Sequence, residues 1–227
     1  PLDFCAEWKW DGIRVQAVSE GGIKRLYTRT GDDISHTFPD VIHAMEFEGA
    51  LDGELLVRTP DGQIAPFNDL QQRLNRKTVS KKLLTERPAF IRAYDILKDG
   101  EDDTRPLIFR DRRARLEAFF TQHETDRFDV SPLVPVTDVE ALREIRNSPP
   151  HPEIEGLMLK RWDSVYEAGR PRGPWFKWKR DPYLIDAVIM YAQRGHGRRS
   201  GFYSDFTFGV WQRVDEDWQI TPVGKAY

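Results

Sequence analysis

Glu7-Trp8-Lys9-Trp10-Asp11-Gly12-Ile13-Arg14 puts a lysine between two tryptophans, at the end of a strand pattern and just ahead of a glycine turn. A surface strand has little use for such crowding. Burial among aromatic rings disfavours an ammonium, and a lysine whose charge is disfavoured becomes a nucleophile. The requirement is steep: from a reference pKa of about 10.4, free amine at pH 7 costs roughly 4.6 kcal/mol to supply. Desolvation or nearby cations have to recover much of that. Asp11 works in the other direction by favouring the charged form, unless another partner such as Arg14 holds it. The spacing is also compatible with a plain strand end at which Lys9, Asp11 and Arg14 neutralise one another.

Outward from this stretch, residues 13–17 alternate apolar and polar, Gly21-Gly22 marks a tight turn, and residues 23–28 resume the alternation, a hairpin signal. Residues 37–47 predict a helix with Thr37 as its cap and Pro39 in its first turn. Strands are expected over 50–58, closed by the turn Pro60-Asp61-Gly62, and over 89–97. Helices are expected over 67–76, 79–84 and 110–120, the last with Leu116, Phe119 and Phe120 at helical spacing. A strand over 128–135 and a helix over 136–147 lead to three further strands, 156–161, 175–180 and 185–192. Past Asp181-Pro182 the texture changes to aromatic strands, 201–211 and 218–223, with no helix signal. Two domains are expected, 1–181 and 182–227: antiparallel sheets with flanking helices, then a small all-β unit, an α+β architecture.

The chain has 227 residues, 39% of them hydrophobic, enough to bury a sizeable core. One cysteine, Cys5, excludes a disulfide framework within the chain and fits a reducing compartment. No apolar run approaches the roughly 18 residues that span a bilayer, and no signal peptide opens the sequence. A cytoplasmic protein with no membrane contact is expected, the chain being a piece of a longer one because the sequence starts at Pro1; the resemblance described below implies a nucleoid-associated monomer. The formal charge is −3, but residues 160–200 carry ten Lys or Arg against four acids. That is the pattern of a phosphate-handling surface, or of a solvated face. Arg194-Gly195-His196-Gly197-Arg198-Arg199 adds a glycine-spaced basic loop suited to phosphate contact, with a DNA backbone on the resemblance described below, or again to solvent.

Lys9-x-Asp11-Gly12-x-Arg14 resembles motif I of the covalent nucleotidyltransferases, which comprise ATP-dependent DNA ligases, RNA ligases and mRNA capping enzymes. Further blocks resemble the family's other motifs in order: Tyr27-Thr28-Arg29-Thr30-Gly31 (Ia), Leu51-Asp52-Gly53-Glu54 (III), Ala93-Tyr94-Asp95-Ile96-Leu97 (IIIa), Glu155-Gly156-Leu157-Met158-Leu159-Lys160 (IV) and Trp175-Phe176-Lys177-Trp178-Lys179 (V). The resemblance spans Glu7 to Lys179 and is best with the bacterial and archaeal stand-alone ATP-dependent DNA ligases. It implies a nucleotidyltransferase fold, with ATP-grasp-like antiparallel sheets and flanking helices, followed by a truncated all-β OB-fold.

By this resemblance Lys9 attacks the α-phosphate of ATP, carries AMP, and passes it to the 5′-phosphate of nicked duplex DNA. Glu7 matches the residue that accepts a hydrogen bond from the adenine amino group; the plain alternative is an exposed strand glutamate. Arg14 and Arg29 match ribose and phosphate contacts, a task suited to a guanidinium fork. Glu54 matches a ribose contact that also lies near the metal, and Tyr94 an adenine-stacking ring where the family often has Phe. Glu155 matches a carboxylate that helps hold Mg²⁺ (or Mn²⁺), an ion content with one or two protein carboxylates. The five histidines are scattered, so no softer metal competes. Lys177 and Lys179 alternate on one strand, share a face, and match triphosphate contacts that would also depress the pKa of Lys9. Arg170 or Arg172 matches a nucleotide-contacting arginine, the spacing leaving open which. Asp11, Gly12 and Asp95 are read as structural.

Two family parts are missing between Pro1 and Tyr227: the basic motif VI and a helical DNA-binding domain. An N-terminal DNA-binding domain and the rest of the OB-fold are therefore expected in the parent protein. An RNA ligase, a GTP-dependent capping guanylyltransferase and a non-catalytic nucleic-acid-binding relative remain as alternatives.

Overall fold

Phe4–Trp10 forms β1, and Ile13–Glu20 and Ile23–Thr28 form β2 and β3, a hairpin turned by Gly21 and Gly22 at φ 56° and 79°. Positive φ at both central residues is what a two-residue primed turn requires, and only glycine adopts it without a Cβ penalty. The computed structural model describes every residue except 1, 2, 75, 77, 124, 170 and 183. The chain divides into two compact units, Pro1–Arg180 and Asp181–Tyr227.

In the first unit α1 (Pro39–His43) and β4 (Gly49–Val57) follow the hairpin, then α2 (Phe67–Leu74), α3 (Lys81–Glu86) and β5 (Ala89–Asp99). Next come β6 (Asp102–Asp103), α4 (Phe109–Gln122), β7 (Phe128–Val130), β8 (Leu133–Val134) and α5 (Val139–Asn147). β9 (Ile154–Arg161) and β10 (Trp175–Lys179) close it. One sheet runs β3-β2-β4-β5-β6, with β7 added parallel to β5; the other runs β10-β9-β1-β8. The larger core joins the first sheet to its helices through Leu26, Phe38, Met45, Leu55, Ile91 and Leu116. A smaller one, around Ala6, Val134, Leu142 and Leu157, seats α5 on the second sheet.

The helix expected over 37–47 is shorter. Thr37 is fully buried, so its hydroxyl donates to the Ile34 carbonyl at 2.8 Å inside a 3-10 turn, and Phe38 precedes α1 without a side-chain cap. The strand expected over 128–135 splits because the chain changes sheets: β7 pairs with β5, and β8 pairs antiparallel with β1. Asp102–Asp103 lies in an acidic run with no strand signal, and its hydrogen bonds to β5 are helped by Arg115, which donates to Asp99 at 2.7 Å and to Asp102 at 2.5 Å. Among the described residues no helix is long and apolar enough to cross a membrane.

Gly156 matters more than a turn glycine. It pairs with Lys9 on one side and Lys179 on the other, at φ 147°, and a Cβ there would lie 2.3 Å from the Trp178 carbonyl oxygen. Backbone cannot yield as a side chain can. Gly156→Ala is expected to cost about 3 kcal/mol of stability, from the backbone strain and the clash together. Calorimetric melting checks this, and an unchanged melting temperature would contradict it.

The second unit is a three-stranded antiparallel sheet in the order β11 (Val188–Arg194), β12 (Tyr203–Val214), β13 (Asp217–Ala226).

Candidate active site

A cleft of ≈ 910 Å³ in the first unit is lined from both of its sheets: Glu7 and Lys9 of β1, Lys160 of β9 and Lys177 of β10 on one side, and Arg14 of β2, Glu54 of β4 and Tyr94 of β5 on the other. Two-residue periodicity sorts the motif I stretch. Cys5, Glu7 and Lys9 share one face of β1, while Trp8 points the other way into the small core with Ala6 and Leu157. Trp10, past a bulge, packs on His151 at 5.5 Å and lies under the Arg92 guanidinium at 4.8 Å. Both tryptophans also line the cleft, but the direct partner of the Lys9 ammonium is a carboxylate rather than a ring.

Lys9 Nζ donates to Glu155 Oε2, and Lys179 donates to Glu155 Oε1 at 3.1 Å. Burial pushes the Glu155 carboxyl up, but hydrogen bonds from Lys9 and Lys179 outweigh it and leave the group below its ordinary range. The strand-end pairing of Lys9, Asp11 and Arg14 does not occur: Lys9 bonds Glu155 and Arg14 bonds Asp52. Asp11 is raised by burial and by Glu155, with Lys9 pulling it back. Lys177 lines the cleft and is lowered by burial and then by the cations Lys9, Arg29, Lys179 and Arg14. A surplus of positive charge that depresses an ammonium is suited to phosphates.

Glu7 is not the exposed strand glutamate that was one reading of it; it is 2% exposed. Arg113 donates to its Oε1 at 3.1 Å, and Lys160 Nζ lies 2.5 Å from Oε2. Lys160 is itself buried among the rings of Tyr94, Phe109 and Trp175, 4.4 to 4.9 Å from their centres. Burial raises the Glu7 carboxyl, and Lys160 and Arg113 oppose that rise.

Glu54 stands apart. Among the described residues no donor bonds its carboxylate, and burial raises it to about 7; Lys9 pulls it back, against lesser pushes from Asp52, Asp11 and Glu155. Arg14 and Tyr94 meet on Asp52, which is fully buried: Arg14 donates through Nε (3.0 Å) and Nη2 (2.5 Å), and the Tyr94 hydroxyl donates at 3.0 Å. Burial opposes the Arg14 charge, yet the bond to Asp52 holds it above its usual range. Arg29 sits exposed at the rim with Thr28 and Thr30. Arg172 is exposed and is not part of the cleft lining; Arg170 lies outside the described residues.

The sequence reading had Asp52 and Lys160 within motifs III and IV but gave neither a role of its own, and it missed Arg113 and Tyr166. Asp52 was within reach, since it is two residues before Glu54 and so on the same face of β4. Arg112, Arg113, Leu116 and Phe119 form one buried stripe of α4, and charge on an apolar stripe signals a buried partner. Tyr166 lies between β9 and β10, where no periodicity marks it.

The model of the ATP dependent DNA ligase domain matches residues 1–179. This chain belongs to that family. The DNA ligase domain family also supplies its relatives: a probable DNA ligase of Koribacter versatilis is 35% identical over 97% of this chain and 42% of its own length. The DNA ligase of Pyrobaculum neutrophilum is 31% identical over 97% of this chain and 39% of its own. The chain thus spans about two fifths of the curated ligases it matches. Mycobacterial DNA ligase D, solved with ATP and MES, superposes with a TM-score of 0.64 at 25% identity, over 98% of this chain and 65% of that one. The fold is accordingly the ligase type, a mixed α+β nucleotidyltransferase unit followed by strands of the OB class.

Proposed function

We propose that this chain is the lysine-adenylating core of an ATP-dependent DNA ligase. Lys9 Nζ gives up one proton to expose its lone pair, forms a bond to the α-phosphorus of ATP as the bridging P–O bond breaks and pyrophosphate leaves, and releases a second proton to solvent to give a neutral phosphoramidate nitrogen. The AMP then passes to a 5′-phosphate at a nick, and a 3′-hydroxyl displaces it to seal the strand. A covalent intermediate retains the anhydride energy between the two substrates. The observation that carries this reading is Lys9 Nζ held by Glu155 in a cleft that also presents Lys177, Arg14 and Glu54. Once Nζ is bonded to phosphorus it carries no positive charge, so Glu155 is left with Lys179 alone. Asp181–Tyr227 is proposed to begin an OB-fold domain.

The donor set fits a hard divalent cation. Glu54 is an unpaired carboxylate crowded by three others, a charge density that a cation relieves, and Glu155 gains a free oxygen when Lys9 is modified. Mg²⁺ held there would supply positive charge against phosphate oxygens.

Glu54 gives this a pH signature. Its acid form is favoured by folding, since its pKa rises from 4.5 to about 7, so stability falls as pH climbs through that window. Glu54→Gln is expected to gain up to about 3 kcal/mol at pH 8, where wild type has lost that preference, and little at pH 4. The same variant is expected to lower adenylation across the whole pH range, since an amide cannot supply the carboxylate's charge to a cation. Urea denaturation and labelling across pH 5–9 read both, and a variant with wild-type profiles would contradict the role. The substrate class is tested by sealing assays: nicked duplex DNA with ATP is expected to be joined, and a preference for nicked RNA or for GTP would overturn the reading.

A further inference from the structure

We infer that Tyr166 is a positioning residue for nucleotide binding: its hydroxyl latches Arg14 to Asp52 and leaves one amino end of the guanidinium free in the cleft. The inference rests on the cleft being the ATP site. Tyr166 lies 114 residues from Asp52 in the chain, in the segment 162–174 that joins β9 to β10. Its hydroxyl donates to Asp52 Oδ2 at 3.0 Å and accepts from Arg14 Nη2 at 3.0 Å and from Gln16 Nε2 at 3.3 Å.

The hydrogen-bond arithmetic closes. Oδ1 of Asp52 accepts Arg14 Nε and the Tyr94 hydroxyl; Oδ2 accepts Arg14 Nη2 and the Tyr166 hydroxyl. Two bonds per oxygen fill the carboxylate's lone pairs. Arg14 thereby commits Nε and Nη2, and among the described residues no acceptor takes Nη1. A bidentate pair alone fixes the guanidinium plane, and a third contact on Nη2 stops it sliding along the carboxylate edge. Burial, then Asp52, push the Tyr166 phenol up to about 12, so it keeps the proton it donates.

Tyr166 is itself held by main chain. Its N–H donates to the Arg105 carbonyl at 3.1 Å, and its ring lies 5.9 Å from the Arg112 guanidinium. The contacts of Arg112 with the Ser164 carbonyl, at 3.1 Å, fix the same segment two residues earlier. Tyr166 and its neighbours Val165 and Glu167 line the cleft, so the segment and Arg14 are set against each other by one hydroxyl.

A double-mutant cycle over Tyr166→Phe and Arg14→Ala tests this, read as ATP binding by calorimetry without divalent metal and as KM and kcat of lysine adenylation. Phenylalanine keeps the ring and its packing. Y166F is expected to weaken ATP binding and raise KM about tenfold, the worth of one hydrogen bond in a charged network, while kcat moves less. In the R14A background it is expected to do nothing further, because its effect passes through Arg14. Wild-type affinity in Y166F, or a loss that multiplies with that of R14A, would overturn the inference. A wild type that binds ATP but forms no adenylate would sink the proposed reaction and leave the binding cycle to decide this point. A wild type that binds no ATP would overturn both.

Discussion

Lys9→Ala protein is expected to take up no AMP, where wild type approaches one adenylate per chain with ATP and Mg²⁺. Lys177, the other amine that lines the cleft with a lowered pKa, is expected to stay unlabelled as well. Lys179 is held by Glu155 on the neighbouring strand, and Lys160 is sealed among three rings with Glu7. Lys9→Arg sharpens the result, because a guanidinium keeps the charge beside Glu155 and stays protonated, and so offers no nucleophile. It should fold, bind ATP and remain unlabelled. Radiolabelled ATP followed by denaturing electrophoresis reads both variants, and covalent label on either would remove Lys9 from the role.

Asp95→Ala is expected to cost about 3–5 kcal/mol, the largest stability loss of any single change considered, because it strands a buried cation. Asp95 and Arg112 are both 0% exposed, joined by two bonds of 2.8 and 2.9 Å. Arg112 spends its other amino group on the carbonyls of Leu107 and Ser164, so one guanidinium ties β5, the start of α4 and the segment after β9 together. Removing Asp95 leaves those carbonyls served but the charge uncompensated in a dry interior. A double replacement, Asp95→Leu with Arg112→Met, is expected to recover much of the loss, since a buried pair is often matched by apolar residues of similar size. Urea midpoints measure both, and a single-variant loss below about 1 kcal/mol would show that the pair carries no such load.

Local chemistry made part of this legible in the sequence. The Gly21-Gly22 turn, the strand at residues 50–58 and the helix around Leu116 were readable because turn residues and periodicity act over a few positions. The surroundings of Lys9 were read only in part, for an equally local reason: neighbours in a strand face opposite ways, so the group that bonds its ammonium comes from another strand and not from the tryptophans beside it in sequence. The motif order brought Lys9, Glu54, Glu155 and Lys177 within one site, yet it carried no word of what holds them. Those partners sit far away along the chain. Arg113 reaches Glu7 across 106 residues and Tyr166 reaches Asp52 across 114. Contacts of that range depend on how two sheets face each other, which no window of sequence contains.

Intact-mass measurement of wild type incubated with ATP and Mg²⁺, followed by peptide mapping, tests the central claim most directly. A gain of one adenylate confined to the peptide that carries Lys9, and reversed by added pyrophosphate, is the expected result. An adenylate on any other side chain, or an unmodified chain that nonetheless binds ATP, would contradict it.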